Sequence, residues 1–310
     1  MSAANSPLLT VGELTLDDVV IEDTDVDWKQ PGGGALYSAI GAMLWHRPAA
    51  ICSTVGADYP KGHLERLAAA GIDTSAIQRT TECNSLGLWL LYEASGTRHQ
   101  FEKSAGGTFR QLDELRPRAA DLDFTPAAVH LAPQSSAGHL AALADHVPGP
   151  VPVSLDLLVE SYIDTAPYLD GPIFCGLDAF LPSTAEVQAL WRHDDARKLS
   201  AALKTRGFTG VLAIKRGAGG VDVQVEDVTV HVPAAAGTVV DVTGAGDAFC
   251  GGFLAGLIAT GDPVLAAAHG VVSSSFIVET RGALAALDSL DRERATERLA
   301  RVTATIRRAL

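Results

Sequence analysis

The sequence contains few of the residues from which disulfide frameworks and metal sites are built. Its four cysteines lie far apart and form no CxxC pair, so neither disulfides nor a zinc site are indicated. Its nine histidines show no HxxxH or HExxH spacing, which argues against a histidine-built metal site. The first residues also lack the basic start and apolar core of a signal peptide. A reducing cytoplasm is therefore the expected location.

Positive charge and long apolar runs are scarce as well. Lysine and arginine number 24 against 37 aspartates and glutamates, which gives a formal charge of −13. Nucleic acids and anionic membranes are bound through basic surfaces, so the sequence predicts neither as a partner. The longest apolar stretch, residues 248–259, is interrupted by three glycines and is too short to span a bilayer. The acidic surplus is expected to form a solvated surface.

Strand-length apolar runs alternate with longer segments of helical spacing. This rhythm predicts an α/β fold with a mostly parallel central sheet and helices on both faces. With 310 residues, the chain could form two domains or one large domain. The predicted strands are 8–11, 49–55, 128–132, 151–155, 173–177 and 211–214, and the predicted helices are 35–45, 62–70, 136–146, 184–206 and the chain after Gly261.

Two stretches break this rhythm. Residues 14–27 are rich in Val, Ile and Asp, and residues 85–103 have the pattern of a hairpin that turns at Ala94–Thr97. The two could pair as a small second sheet, a lid that stands off the main sheet. Arg98, just past the turn, is expected to be a solvated charge rather than a substrate contact. A second hairpin is predicted over residues 221–232.

The run Asp241-Val-Thr-Gly-Ala-Gly-Asp247 carries most of the chemical information. It predicts a glycine-containing turn that opens an apolar helix, whose further glycines would let it pack tightly against a neighbour. Gly244 and Gly246 would let the backbone approach a ligand closely, and the free N–H groups at a helix start attract an anion. Asp247 would then face a reacting phosphate or its acceptor. The alternative is an aspartate that only caps the helix.

This run and four earlier motifs resemble, in sequence order, those of the ribokinase-like (phosphofructokinase B-type, pfkB) carbohydrate and nucleoside kinases. The earlier motifs are Val11-Gly12 with Asp17, Gly32-Gly33-Gly34-Ala35, Val55-Gly56-Ala57-Asp58 and Lys215-Arg216-Gly217-Ala218-Gly219-Gly220. Together they extend over nearly the whole chain. The resemblance implies the ribokinase-like fold, with residues 1–310 as one kinase domain and a lid formed by residues 13–30 and 84–104.

The resemblance implies a transferase that moves the γ-phosphate of ATP to a hydroxyl of a small polyol. The acceptor could be a sugar, a sugar derivative, a cyclitol or a nucleoside. Asp247 would act as general base for the acceptor hydroxyl, and Gly244, Ala245 and Gly246 would donate N–H groups to the transferred phosphoryl group. Because a helix N-terminus favours an ionised carboxylate, Asp247 would be a weak base that mainly orients the hydroxyl.

The resemblance also assigns binding residues. Glu186 would bind Mg²⁺ through water, and Asp241 could help to hold a monovalent cation such as K⁺. An acidic protein that binds ATP is expected to collect positive potential in a basic cleft. The implied acceptor contacts are Asp17, Gly33, Gly34, Tyr37 and Asp247, and the implied nucleotide contacts are Lys215, Gly217, Gly220, Thr243 and Gly246.

Two positions depart from the family pattern. Ser183 stands where the family's Asn-x-x-Glu motif has asparagine, so Ser183 and Glu186 could form a capping box, with or without a role toward Mg²⁺. Tyr37 stands where many members have asparagine, and it could contact an acceptor ring or only pack helix against sheet.

Asp17 and Asp18 are adjacent on a predicted strand, so one is expected to bind the acceptor, with Asp17 favoured, and the other to be solvated.

Two other classes of protein remain alternatives. A sensor that kept the fold without catalysis could bind a sugar or nucleotide. An NAD(P)-dependent oxidoreductase would share the α/β rhythm, but Phe249 occupies the place of the third glycine of its fingerprint. A P-loop enzyme is excluded because the sequence has no GxxxxGK[ST] run.

Apolar residues on both faces of the hairpin over 85–103 indicate that the lid is covered by the domain or by a second subunit, so a homodimer could form through the lid.

Overall fold

The structure is a computed structural model that describes residues 6–23, 26–94, 98–147, 149, 151–235 and 237–308. The helices are α1 (Gly34–Met43), α2 (Lys61–Ala69), α3 (Phe109–Glu114), α4 (Ser136–His146), α5 (Ala166–Asp170), α6 (Thr184–Trp191), α7 (Ala196–Lys204), α8 (Ala245–Thr260), α9 (Pro263–Val278), α10 (Ala283–Asp288) and α11 (Arg292–Thr305). The strands are β1 (Leu8–Val11), β2 (Thr15–Ile21), β3 (Asp27–Gly32), β4 (Ala49–Gly56), β5 (Ile72–Asp73), β6 (Ile77–Thr80), β7 (Leu86–Tyr92), β8 (Arg98–Glu102), β9 (Ala128–Leu131), β10 (Val153–Leu155), β11 (Ala179–Phe180), β12 (Val211–Lys215), β13 (Val221–Val225), β14 (Val228–Val232) and β15 (Arg307–Arg308).

Most strands belong to one large sheet whose centre is parallel. The strand order is β15-β14-β13-β12-β11-β10-β9-β1-β4-β5, and β6 also pairs with β4. The strands from β12 to β5 run parallel, whereas β13, β14 and β15 form an antiparallel edge. β4 is buried along its whole length, as expected for a sheet covered on both faces. The predicted α/β fold is confirmed.

The lid is a separate four-stranded sheet with the order β3-β2-β7-β8. β2 pairs in parallel with β7, so the two stretches that break the α/β rhythm do pair with each other. β7 and β8 form the predicted hairpin, although residues 95–97 of its turn lie outside the described residues. β1 ends at Val11 and β2 begins at Thr15, so the lid stands at the carboxyl end of β1.

Three predicted elements differ from the structure. The strand predicted over 173–177 is wrong: Ile173, Phe174 and Leu177 are buried, but the segment forms turns. The strand in this region is Ala179–Phe180. The helix predicted over 184–206 is two helices, because Arg192 adopts a left-handed conformation (φ 62°) that ends α6. After Gly261 the chain forms three helices and the short strand β15 rather than one continuous helix.

The helix layer over the sheet is packed closely because α8 is rich in glycine. A Cβ on Gly251 would collide with the Ser38 backbone oxygen of α1, and one on Gly252 would collide with the Ser273 hydroxyl of α9. The predicted tight packing of α8 is confirmed, and it holds the start of α8 beside the start of α1. Among the helices that the structure describes, none has the length and hydrophobicity needed to cross a membrane.

Candidate active site

A cavity of about 720 Å³ opens at the carboxyl ends of the parallel strands. The loops that follow β1, β9, β10 and β11, together with the end of β12, supply one wall, with Glu13, Pro133, Asp156, Ser183 and Lys215. The lid supplies a second wall, with Leu88, Leu90, Arg98 and Gln100. Ligands of open α/β sheets bind at this edge, and cavities of roughly 300–1,000 Å³ hold small molecules. The cavity is therefore the candidate active site.

The structure brings together nearly all of the residues that the sequence assigns to binding or catalysis. Among the described residues that line the cavity are all the implied acceptor contacts and all the implied nucleotide contacts, as well as Glu186. Asp241 lies next to this set in sequence and is buried, but it does not line the cavity.

Asp247 lies where the N-termini of two helices meet. It is in the first turn of α8, and a Cβ on Gly34, the first residue of α1, would lie 2.9 Å from Asp247 Oδ1. The Ser38 hydroxyl of α1 donates to the Asp247 backbone oxygen (3.0 Å). Gly33 precedes α1 with φ 102°, and a Cβ there would overlap the carbonyl oxygen of Glu13. Two positive helix ends therefore face the same part of the cavity.

Burial dominates the pKa of Asp247. It raises this pKa, and the positive charges of Lys215 and Arg98 oppose the rise only in part. The expectation of a base weakened by its helix N-terminus is therefore wrong in direction. A carboxylate with a raised pKa is a better acceptor for a hydroxyl proton.

The turn before α8 is shaped by Gly244. This glycine has φ 74°, and a Cβ on it would collide with the ring of Tyr37, which is buried beneath the turn. The Tyr37 ring thus supports the turn and also lines the cavity, so its contact with an acceptor ring stays a prediction. Of the predicted N–H donors, Ala245 donates to the Val242 carbonyl oxygen at 3.2 Å and is engaged within the turn itself.

Asp241 and Thr243 hold this turn from within. Asp241 Oδ1 accepts hydrogen bonds from the Thr243 N–H (2.9 Å) and the Thr243 hydroxyl (2.7 Å). The Tyr92 hydroxyl of β7 lies 2.7 Å from Thr243 Oγ1, and it is the donor because the threonine proton goes to Asp241. The lid is thereby tied to the turn. A monovalent cation at Asp241 stays a prediction.

Lys215 forms a buried ion pair with Asp156, and its Nζ lies 3.6 Å from Cys250 Sγ. Burial opposes the charge of Lys215, but the neighbouring Asp156 carboxylate holds the lysine pKa above its ordinary value. A Cβ on Gly246 would lie 3.5 Å from Lys215 Nζ, so the ammonium group is beside the turn. A phosphate that binds there would share Lys215 with Asp156.

Ser183 and Glu186 form the capping box that was one of the two alternatives for this pair. The Ser183 hydroxyl accepts from the Glu186 N–H (3.3 Å), and Glu186 Oε2 accepts from the Ser183 N–H (2.6 Å). One carboxylate oxygen of Glu186 is thus engaged at the start of α6. Its role toward Mg²⁺ stays a prediction.

Asp17 and Asp18 point to opposite faces of the lid strand β2. Asp17 lines the cavity, burial raises its pKa to about 7, and its Oδ1 has no hydrogen-bond partner among the described residues. Asp18 Oδ2 lies 2.6 Å from Lys103 Nζ, and Asp18 Oδ1 accepts from the Lys29 N–H (2.7 Å). The alternation is confirmed, but the expectation that Asp18 is solvated is wrong, because it is buried in an ion pair.

Two charged residues of the cavity wall, Asp156 and Glu13, were not predicted from the sequence, and a third, Arg98, was expected only to be solvated. Asp156 directly follows a strand of the parallel sheet, and this position is a usable signal for a site residue. Glu13 follows β1 in the same way. Arg98 is exposed, as expected, yet it also lines the cavity, and its charge lowers the pKa values of Asp17 and Asp247.

The charge of the cavity wall is opposite to the one expected. Among the described residues that line it, the acidic side chains outnumber the basic ones, Arg98 and Lys215; the acidic ones are Glu13, Asp17, Asp156, Glu186 and Asp247. The predicted basic cleft is therefore wrong. Positive potential in this cavity comes from Arg98, Lys215 and the two helix N-termini.

The chain belongs to the pfkB family of carbohydrate kinases, whose pattern matches residues 11–290. It is 29% identical over 141 residues to a deoxyribokinase from Salmonella typhi, a match that covers 43% of this chain and 46% of that protein. It is 37% identical over 108 residues to a fructokinase from Klebsiella pneumoniae, covering 35% and 34%. The matched segments thus span less than half of either relative. Membership of a kinase family argues against the oxidoreductase alternative.

Solved structures confirm the ribokinase-like fold. A nucleoside kinase from Methanocaldococcus jannaschii, described as an archaeal member of the ribokinase family, has a TM-score of 0.71 at 20% identity and covers 96% of this chain and 99% of that one. A Burkholderia thailandensis nucleoside kinase in complex with inosine has a TM-score of 0.77 at 18% identity and covers 96% and 98%. An Arabidopsis thaliana ribokinase complexed with ribose and ATP has a TM-score of 0.72 at 18% identity and covers 95% and 99%.

Proposed function

We propose that this protein is an ATP-dependent kinase that phosphorylates a hydroxyl of a small polyol in the cytoplasm. Residues 1–310 would form one kinase domain with a lid of residues 13–30 and 84–104. One observation carries the proposal: Asp247, a partly buried carboxylate of raised pKa, lies in a small-molecule cavity where two helix N-termini meet. Phosphoryl transfer to a hydroxyl needs a proton acceptor next to groups that stabilise anionic oxygens.

In this proposal Asp247 accepts a hydrogen bond from the acceptor hydroxyl and orients its oxygen toward the γ-phosphate. The raised pKa of Asp247 lets it take the proton as the new O–P bond forms. The N–H groups of Gly244 and Gly246, with the two helix N-termini, stabilise the charge on the transferred phosphoryl oxygens. The lid forms one wall of the cavity and would limit the access of water, which would otherwise compete as the acceptor.

The acidic wall of the cavity fits a magnesium ion that arrives with the nucleotide. Within the described ranges, no group of three or more His, Cys, Asp or Glu side chains is arranged to hold a metal ion alone. Mg²⁺ does not need such a cage, because it keeps several waters and binds one or two carboxylates together with substrate phosphates. Glu186 would hold it through water, and Lys215, Gly217 and Gly220 would contact the nucleotide. The ion supplies the charge that neutralises the phosphates.

The acceptor would be a sugar, a sugar derivative, a cyclitol or a nucleoside. Proteins similar to this chain are named deoxyribokinase and fructokinase, and structures of the same fold hold inosine or ribose. Asp17 supports this class, because its carboxyl group belongs to the cavity wall and is able to accept a hydrogen bond from a hydroxyl.

The experiment is an ADP-release assay with Mg²⁺-ATP over D-ribose, 2-deoxy-D-ribose, D-fructose, myo-inositol and inosine. We expect one class of acceptor to be phosphorylated, and Asp247→Ala to abolish that turnover while ATP still binds. Binding of ATP and of a polyol without any turnover would favour the sensor alternative. Turnover by Asp247→Ala at the wild-type rate would overturn the assigned base.

We also propose that the outer face of the lid joins two subunits. Trp28 is 60% exposed and Phe101 54% exposed, and both adjoin Trp89, whose ring lies 5.7 Å from that of Trp28 and whose strand position pairs with Phe101. Apolar groups exposed together in this way are typical of interfaces. Phe101→Glu should give a monomer in analytical ultracentrifugation, whereas Leu140→Glu, at an exposed leucine of α4, should not. A wild-type monomer would refute the dimer.

A further inference from the structure

Asp156 is a buried acid of the cavity wall to which neither the sequence motifs nor the proposed chemistry assign a role. It is 2% exposed and directly follows β10. Its backbone N–H donates to the carbonyl oxygen of Leu131, the last residue of β9 (3.0 Å), and its Oδ1 accepts from the Leu157 N–H (3.0 Å). The ends of two neighbouring strands therefore fix the position of this carboxylate.

The second oxygen of Asp156 holds Lys215. Asp156 Oδ2 pairs with Lys215 Nζ at the end of β12 and also lies 3.4 Å from Cys250 Sγ of α8. Lys215 Nζ is itself 3.6 Å from the same sulfur, and the lysine side chain is 10% exposed. A lysine side chain is flexible when it is free, so these contacts restrict its ammonium group to one place.

That place is beside the phosphate turn. The nearest neighbour of a Cβ built on Gly246 is Lys215 Nζ, at 3.5 Å, and Gly246 lies in the first turn of α8. Both Lys215 and Gly246 line the cavity. An ammonium group has three N–H donors, and the pair with Asp156 needs only one of them. Phosphate oxygens at the start of α8 would therefore find donors of Lys215 within reach.

The pair also keeps Lys215 charged. Burial alone favours a neutral lysine, and the Asp156 carboxylate opposes burial most strongly, so that the lysine pKa stays above its ordinary value. Without this carboxylate, burial would lower the pKa of Lys215. The titratable groups whose charges interact with Lys215 are Asp156, Cys250, Glu186, Asp247 and His130.

We propose that Asp156 is a positioning residue that holds Lys215 as a charged ammonium group beside Gly246, ready for the phosphate oxygens of the nucleotide. The inference rests on the proposed function for its ligand, ATP, but it concerns binding and does not require turnover. Asp156 acts only through Lys215, because a carboxylate by itself repels an anionic nucleotide. Removing Asp156 should consequently matter only while Lys215 is present.

The test uses Asp156→Asn, Lys215→Met and the double variant. The matched control is Asp18→Asn, which breaks an Asp–Lys pair with Lys103 in the lid, where neither residue lines the cavity. The Kd of Mg²⁺-ATP is measured by calorimetry without acceptor at pH 7 and pH 9, together with thermal unfolding. The KM values for ATP and for the acceptor are measured with the best acceptor.

We expect Asp156→Asn and Lys215→Met each to raise the Kd and the KM of ATP roughly tenfold, because charged hydrogen bonds to phosphate are lost or misplaced. The acceptor KM should stay within about twofold, and the double variant should bind ATP as Lys215→Met does. From pH 7 to pH 9 the Kd should rise more in Asp156→Asn than in the wild type or in Lys215→Met, because the unpaired lysine loses its proton. Asp18→Asn should only lower the unfolding temperature.

Three outcomes would overturn the inference. These are unchanged or tighter ATP binding by folded Asp156→Asn, unchanged ATP binding by Lys215→Met, and a double variant that binds ATP more weakly than Lys215→Met. If Asp156→Asn does not fold, the double variant decides, because it contains no unpaired buried charge. A wild type that binds ATP but phosphorylates no polyol would refute the proposed function, while the Kd values would still test Asp156. A wild type that does not bind ATP would refute both.

Discussion

The two ends of the cavity are built differently. The phosphate end is mainly backbone: the turn Val242–Asp247 and the start of α8. The acceptor end consists of side chains from separate parts of the chain, among them Glu13, Asp17 and Arg98. A site made of backbone needs glycines in a fixed order and can be recognised in the sequence, whereas a site made of side chains depends on which segments the fold brings together. Substitutions at the two ends should therefore have separable effects.

The largest effect is expected at the phosphate end, from Asp247→Asn. The amide keeps the shape of the side chain but cannot accept the hydroxyl proton, so kcat should fall roughly 10²- to 10⁴-fold. The affinities for ATP and for the acceptor should change little, because the backbone of the turn is intact. Steady-state kinetics and calorimetric titration with ATP check this.

The matched control for Asp247→Asn is Asp18→Asn, which alters a buried aspartate of the lid that faces away from the cavity. It should lower stability, because Lys103 loses its charged partner, with little effect on kcat. Loss of kcat in both variants to the same degree would contradict the special role of Asp247.

The next effect is structural and concerns Gly244→Ala. An alanine there must adopt φ 74°, and its Cβ would collide with the buried Tyr37 ring. Left-handed backbone strain and overpacking together should lower the free energy of unfolding by roughly 2–5 kcal/mol. Urea denaturation measures this change.

Gly246→Ala is the control, because its Cβ would find its nearest neighbour, Lys215 Nζ, at 3.5 Å. This variant should unfold at or above the wild-type urea concentration, since alanine favours a helix over glycine. A loss of ATP affinity in Gly246→Ala would then reflect a changed contact with ATP and not a destabilised fold. Equal destabilisation by both substitutions would contradict the described geometry of the turn.

The contrast between the two ends also explains what the sequence could predict. The β-then-α rhythm predicted the parallel sheet, and the glycine motifs identified Gly244 and Asp247 because local backbone chemistry needs those residues in that order. Asp156 was missed although it directly follows a strand, because only the strand order shows which strand ends meet at the cavity. Arg98 was expected only to be solvated, because nothing in the sequence shows that the lid brings it to the cavity. The strand predicted over 173–177 failed because a buried apolar turn and a buried strand have the same composition.

At the acceptor end, Asp17→Asn should weaken acceptor binding and raise the free energy of unfolding at pH 8. Asp17 has a pKa of about 7 in the folded protein and an ordinary value near 3.8 when unfolded. Between these values the folded state keeps a proton that the unfolded chain releases, so the free energy of unfolding falls as the pH rises from about 4 to 7. Asparagine does not titrate, so this fall in the free energy of unfolding is absent in Asp17→Asn. The variant should therefore be more stable than the wild type at pH 8 but not at pH 4.

At pH 8 the free energy of unfolding of Asp17→Asn should exceed that of the wild type by on the order of 2 kcal/mol. Each unit of pKa shift is worth about 1.4 kcal/mol, and the cost of burying the asparagine amide cancels part of the gain. Denaturation curves at several pH values measure it. Acceptor affinity should fall in the same variant, since a carboxyl group of the cavity wall is lost. A wild-type stability that is flat from pH 4 to 7 would contradict the raised pKa of Asp17.

The smallest expected effect comes from comparing two helix caps, one beside the cavity and one away from it. Ser183→Ala and Thr108→Ala each remove the side chain that completes a capping box, at α6 and α3. Each should cost about 1 kcal/mol of unfolding free energy. Glu186 lines the cavity, whereas Gln111, the partner of Thr108, does not. If Glu186 also binds the magnesium of the nucleotide, Ser183→Ala should raise the KM for Mg²⁺-ATP a few-fold, and Thr108→Ala should leave it unchanged. Unchanged KM values in both variants would restrict Glu186 to capping α6.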